Sequence, residues 1–174
     1  MDEVNIQFED FLTSVNVDYK DFVNTVSEMV LQANYSNIKI GTSKTNIFSV
    51  SYSQPKTRLG IVNFYLRKKG LKIAVHAKNC AKYSDVLLGL PERMLSQIDK
   101  VQPCKNLIDP GACMGKCAGY DFHIGETHYQ KCRFGCFQFD VDAESIPFLL
   151  ELLENELKER MAVTVYSTLT YDSP

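Results

Sequence analysis

Four cysteines fall in two pairs of equal spacing. Cys113 and Cys117 form the first pair, Cys132 and Cys136 the second, with fourteen residues between the pairs. Each pair encloses a glycine, Gly115 and Gly135, and glycine permits the positive φ that tight chelating loops need. Four thiolates at one point suit a structural zinc ion, which takes tetrahedral sulfur ligands at about 2.3 Å. Lys105, Lys116, Lys131 and Arg133 lie in or beside these loops and would offset the negative charge of such a site. The usual zinc spacing places two residues between cysteines rather than three, so other readings stay open. The thiols could be free and serve redox or metal sensing. They could hold an iron–sulfur cluster, drawing on Cys104 as a further ligand, or be ordinary buried cysteines. Cys80 stands alone after a strand and reads as a small buried hydrophobe. His123 and His128 are spare ligands, although a strand histidine is more often a surface or packing residue.

Other chemistry is sparse. A nucleophile pair could be drawn from Cys104 or Cys132 with His76, His123 or His128, but no spacing requires it. There is no phosphate-binding glycine loop, serine elbow or paired-carboxylate motif. Arg67, Lys68 and Lys69 form a basic run. Together with the aromatics Tyr120, Phe122, Tyr129, Phe134 and Phe137 it has the mixture that nucleic-acid binders use for phosphate contact and base stacking. The plainer reading is a solvated hairpin turn and a hydrophobic cluster. Tyr52, Tyr65 and His76 lie among serines and an asparagine on strands and are candidate ligand-binding residues on the open side of a sheet, against the plainer reading that they are solvent-facing strand residues.

The elements that must position these groups follow from periodicity. Tyr19, Phe22, Val23, Val26, Met29, Val30 and Ala33 make one apolar stripe at the helical period, with Asn16 or Asp18 as N-cap. The period then changes to two. Phe48, Val50 and Tyr52 alternate with serines, Val62, Phe64 and Leu66 with polar residues, and Leu71, Ile73, Val75 and Ala77 likewise, while 38–40 makes a weaker strand. Short turns between them imply antiparallel hairpins. Two short helices follow, one carrying Tyr83, Val86, Leu87 and Leu90, the next opening at Pro91. Residues 102–118 read as an irregular loop in need of a clamp. A hairpin over 119–131 turns at Gly125-Glu126. With that turn Tyr120 pairs with Lys131, and Cys117 and Cys132 lie on neighbouring strand ends of the hairpin. A final helix runs from near Ser145 to about Met161, with Ile146, Leu149, Leu150, Leu153 and Leu157 inward and Lys158 and Arg160 at its C-terminal end. The tail beyond Ala162 alternates like a strand at Val163 and Val165.

Bulk properties bound the class. The chain has 174 residues, 45% apolar and 23% charged, which fits one globular α+β domain, an antiparallel sheet of four to six strands with helices mainly on one face. The formal net charge of −2 gives no global field toward nucleic acid. The acidic N-terminus and the lack of any long apolar run lead us to expect a cytoplasmic protein with no membrane partner, where clustered cysteines read as metal ligands or redox thiols before disulfides.

The stretch from Ile108-Asp-Pro-Gly-Ala-Cys113 through Gly119-Tyr-Asp-Phe and Tyr129-Gln-Lys-Cys132-Arg, followed by Ile146-Pro-Phe-Leu, resembles a family of uncharacterised bacterial proteins. Members share an N-terminal α+β part with a segment like Asn63-Phe-Tyr-Leu-Arg-Lys-Lys-Gly70, and the resemblance covers most of residues 20–160. The small α+β domains of the YdhG-like type are also similar. The resemblance implies that the cysteines act as a group and implies no activity. The expectation is a zinc-stabilised, non-enzymatic binding module for a small molecule or protein. The alternatives are a thiol-based redox or metal sensor and a nucleic-acid binder.

Overall fold

The computed structural model describes residues 3–113 and 117–169, with side chains from 4 to 162 outside the same gap. The chain forms two compact units, and each is assembled from two stretches of sequence. One combines the stretch ending at His76 with Phe137–Pro147, and the other combines Ala77–Cys136 with the stretch that begins at Phe148.

The first unit is a layer of helix on antiparallel sheet. Helices α1 (Glu3–Ser14) and α2 (Val17–Gln32) precede strands β1 (Asn37–Gly41), β2 (Phe48–Ser53), β3 (Gly60–Arg67) and β4 (Gly70–Val75). Asn16 caps α2, its side chain accepting from the Asp18 backbone N–H at 3.1 Å, which satisfies one of the donors a helix start leaves open. Strands β1 to β4 form a meander, and a short later strand, β7 (Gln138–Asp140), returns to pair with β4, giving the order β1-β2-β3-β4-β7. Every pairing is antiparallel. The period-two pattern sets the faces: Val50, Tyr52, Val62, Phe64, Ile73 and Phe139 are buried, on the side that meets Phe11 of α1 and Phe22 of α2. The α+β class and the antiparallel sheet packed against helices are as the sequence leads one to expect.

Two elements here are absent from the sequence reading, α1 and β7. In α1 the apolar residues Val4, Phe8, Phe11 and Leu12 fall at i, i+4, i+7 and i+8, a helical stripe the sequence reading passed over; Phe11 is buried completely, while Val4 and Ile6 remain exposed. With three residues, β7 is too short to display a period.

The second unit is mainly helical. A 3-10 turn (Cys80–Lys82) leads into α3 (Ser84–Leu88), α4 (Glu92–Asp99) and the one-turn α5 (Lys105–Ile108), which interrupts the expected loop over 102–118. The hairpin β5 (Tyr120–Ile124) and β6 (Thr127–Lys131) forms in the expected register, Tyr120 opposite Lys131 and Ile124 opposite Thr127. The last helix, α6 (Ile146–Leu169), continues well past Met161. The alternation at Val163 and Val165 therefore falls within helical backbone, and Lys158 and Arg160 are not terminal residues. Its buried stripe is Leu149, Leu152, Leu153, Glu156 and Leu157. Ile146 and Leu150 are only half-buried, and the position they would occupy on the inward face goes to Leu152 and to a carboxylate. Among the described residues no helix is long and apolar enough to cross a membrane.

Candidate functional site

The cysteine hairpin was the first place the sequence directed attention. The observed register of β5 and β6 does bring the chain ends carrying Cys117 and Cys132 to the same end of the hairpin. A third segment joins them: Cys104 N–H donates to the Gln130 carbonyl at 2.8 Å, and Cys132 N–H to the Gln102 carbonyl at 3.1 Å. Gly119 makes this approach possible. Its φ is +69°, and a Cβ there would stand 2.6 Å from Cys104 Sγ, so only glycine fits.

All six cysteines are free thiols. Cys113 is exposed, Cys117 and Cys132 are half-buried, and Cys80, Cys104 and Cys136 are buried. Among the described residues no group of three or more His, Cys, Asp or Glu side chains is placed to hold a metal ion. Gly115 and Lys116 lie outside the described residues. Burial, and after it the Glu156 charge, pushes the Cys80 thiol up to about 12. Burial also raises Cys136, with Cys80 and Cys132 adding to it. Both shifts run upward, opposite to the lowered thiols of reactive cysteines. Lys131 and Arg133 have local work: Lys131 Nζ donates to the carbonyls of Asp99 and Val101 at 2.8 and 2.9 Å, and Arg133 lies over the Tyr120 ring at 5.7 Å.

His123 and His128 stack across the hairpin with ring centroids 4.6 Å apart, and His128 Nε2 meets Asp121 Oδ1 at 2.6 Å. Hydrogen bonds from His128 and Gln130 hold the Asp121 carboxyl below its usual range. The aromatics considered for base stacking are largely inside: Tyr120, Phe122 and Phe137 are 4%, 1% and 2% exposed, while Phe134 is 84% exposed.

The proposed ligand residues separate. Tyr52 is corrected: it shares the phase of Phe48 and Val50 and is buried, so it lines no open face. Its hydroxyl lies 2.8 Å from Ser27 Oγ, which itself donates to the Val23 carbonyl at 2.7 Å. Tyr52 is thus the donor of that pair, and burial lifts its phenol to about 12. Tyr65 and His76 do come together, through Asn63. The Asn63 amide nitrogen donates to Tyr65 Oη at 3.1 Å and lies 3.2 Å from His76 Nε2. Asn63, Tyr65 and Arg67 share one face of β3, opposite the core side. Gly60 leaves room for the imidazole, since a Cβ there would meet His76 Nε2 at 3.2 Å.

That polar face ends in a groove of about 620 Å³ between the 43–47 loop and the β3–β4 turn. Lys44, Arg67, Lys68, Lys69 and Lys72 line it, with Asp140 of β7. Two of these cations are half-buried and held. Arg67 Nε donates to Asn46 Oδ1 at 2.9 Å, its guanidinium lying over the Tyr65 ring at 5.6 Å, and Lys72 Nζ meets Asp140 Oδ1 at 2.6 Å. A second cavity of about 480 Å³ flanks the same turn and is lined in part by Ser14, Asn16 and Tyr19. The basic turn was visible in the sequence. Its companions Lys44, Lys72 and Asp140 converge on it only through strand pairing.

A further group escaped the sequence reading. Glu156 is completely buried in the second unit. Its carboxylate accepts from the backbone N–H groups of Lys78 (3.1 Å) and Asn79 (3.0 Å), from the Asn79 amide (3.3 Å), from Tyr83 Oη (2.7 Å) and from Arg160 Nε (2.6 Å). The available signal was a glutamate at the i+7 position of the Leu149 stripe.

Comparison with protein-family models, with curated proteins and with solved structures gave no match.

Proposed function

We propose that the chain is a non-enzymatic binding module for a small phosphate-bearing anion, taken up in the groove of the first unit. The observation that carries this reading is the convergence of five cationic side chains, from a loop and a turn far apart in sequence, around one cavity with a single carboxylate. Its volume lies within the roughly 300–1,000 Å³ typical of small-molecule sites. A solvated charge run would leave its side chains untethered, whereas here Arg67 is fixed by Asn46 and Tyr65, and a fixed guanidinium loses less freedom on meeting a phosphate. With a net charge of −2 over the chain, the attraction is local. Pyrophosphate titrated calorimetrically at low salt is expected to bind wild type. Arg67→Ala should weaken it about tenfold or more, since a charge-assisted hydrogen bond contributes about 1.5–3 kcal/mol. The affinity should fall as salt rises. No binding at millimolar pyrophosphate, or equal binding by Arg67→Ala, overturns the reading.

For the second unit we propose a stabilising zinc ion bound through Cys113, Cys117, Cys132 and Cys136. The hairpin register supports it, because Cys117 and Cys132 flank paired strand ends. Closing the Cys113–Cys117 stretch onto Cys132 and Cys136 would then be a folding step coupled to metal binding. Protein purified without chelators is expected to carry about one zinc per chain. Cys132→Ser should lower both the metal content and the melting temperature. Metal-free protein with freely reactive thiols would instead favour the sensor or redox reading. The iron–sulfur alternative predicts visible absorption and bound iron.

A further inference from the structure

Resting on the anion-binding reading of the groove, we infer that its ligand is a mononucleotide, with the phosphate on Arg67 and the neighbouring lysines and the base laid along Tyr65 toward Asn63 and His76. The groove and the polar sheet face are continuous. Lys72 lines the groove and is the cross-strand partner of Tyr65. Arg67 lines the groove and covers the Tyr65 ring. Cations, aromatic ring and amide therefore follow one another along a single face of β3. Residues on one face of a strand advance by two, at about 3.3 Å per residue, so Arg67 to Asn63 spans about 13 Å. That is close to the reach of a mononucleotide from its phosphate to the far edge of its base.

The chemistry changes along this line in the order such a ligand requires. The guanidinium and ammonium groups meet the phosphate. The Arg67 guanidinium lies 5.6 Å from the Tyr65 ring centroid, and a base would stack on the ring surface beyond it. Beyond it, Asn63 spends its amide nitrogen on Tyr65 and His76, which leaves its carbonyl oxygen as the acceptor for an exocyclic amino group. Asp140, neutralised by Lys72 at 2.6 Å, adds a carboxylate oxygen suited to a sugar hydroxyl. A polymer fits less well. The cations are gathered at one end of the face, and a strand of nucleic acid needs a continuous basic track.

The test compares adenosine 5′-monophosphate, ribose 5-phosphate and a single-stranded decanucleotide by calorimetry on the full chain at low salt. The nucleotide is expected to bind about tenfold or more tightly than ribose 5-phosphate, the advantage that stacking one base on an aromatic ring gives. Tyr65→Ala, which also frees Arg67 from the ring, should weaken both ligands but bring the nucleotide down to the level of ribose 5-phosphate, and Tyr65→Phe should restore most of the roughly tenfold gap between them. A melting curve like that of wild type shows that the variants are folded. Equal binding of nucleotide and ribose 5-phosphate, with both weakened by Arg67→Ala, overturns the base site and leaves the anion groove standing. Failure of both to bind overturns the two together. A decanucleotide that binds more tightly than the monomer, with steep salt dependence, overturns the mononucleotide in favour of nucleic acid.

Discussion

Glu156→Ala is expected to destabilise the second unit by about 3–5 kcal/mol, the cost of removing one partner from a buried ionic group. The carboxylate is fully buried and ties α6 to the 78–83 segment. Removing it takes the 2.6 Å carboxylate partner away from Arg160, whose side chain is 12% exposed. The Lys78 and Asn79 N–H groups and the Tyr83 hydroxyl lose their acceptor. Each stranded donor carries a desolvation penalty of about 1–3 kcal/mol. For a chain of this length about 2–4 °C is lost per kcal/mol, so a fall of about 10 °C is expected in a thermal melt. Glu156→Gln keeps the shape and one acceptor but not the charge, and should fall between wild type and alanine. Tyr83→Phe removes a single donor and should cost least. A melt of Glu156→Ala within about 2 °C of wild type would mean that the clamp contributes little.

Glu156 also shows where sequence reasoning stopped. A carboxylate within an apolar stripe can be solvated at a helix edge or buried against partners. Its partners Lys78, Asn79 and Tyr83 are more than seventy residues away, and no local pattern connects them. Groups that depend on near neighbours were legible. The helical stripe and Asn16 cap of α2, the alternation of β2 to β4, and the turn at Gly125-Glu126 all depend on residues a few positions apart. Tyr52 was legible too, since its phase with Val50 already placed it on the core face. The groove was half legible: Arg67, Lys68 and Lys69 are a contiguous run, but Asp140 reaches them only because β7 returns to β4. A three-residue strand carries too little period to be read, whereas α1 does carry one, at Val4, Phe8, Phe11 and Leu12, and was passed over.

Phe64→Ala should bring a comparable loss to the first unit, about 3–5 kcal/mol for a large aromatic cut from a core. Phe64 sits in the centre of β3 and is completely buried. It faces Phe22 edge-on with centroids 6.3 Å apart, Tyr52 edge-on at 6.4 Å, and Phe11 at 6.1 Å. Edge-to-face pairs of this kind contribute about 0.5–1.5 kcal/mol beyond the area they bury. Val50 and Ile73 flank it on the neighbouring strands. Truncation therefore opens a cavity that two helices and three strands would have to collapse to fill, and close-packed neighbours relax only in part. Phe64→Leu retains most of the volume and should cost clearly less. The substitution also bears on the groove, since the outward residues Asn63 and Tyr65 are held by the same strand. Pyrophosphate and nucleotide affinity should weaken in Phe64→Ala as the strand loosens, and recover in Phe64→Leu along with the melting temperature. A Phe64→Ala protein that melts like wild type would show that the aromatic cluster does not anchor the sheet.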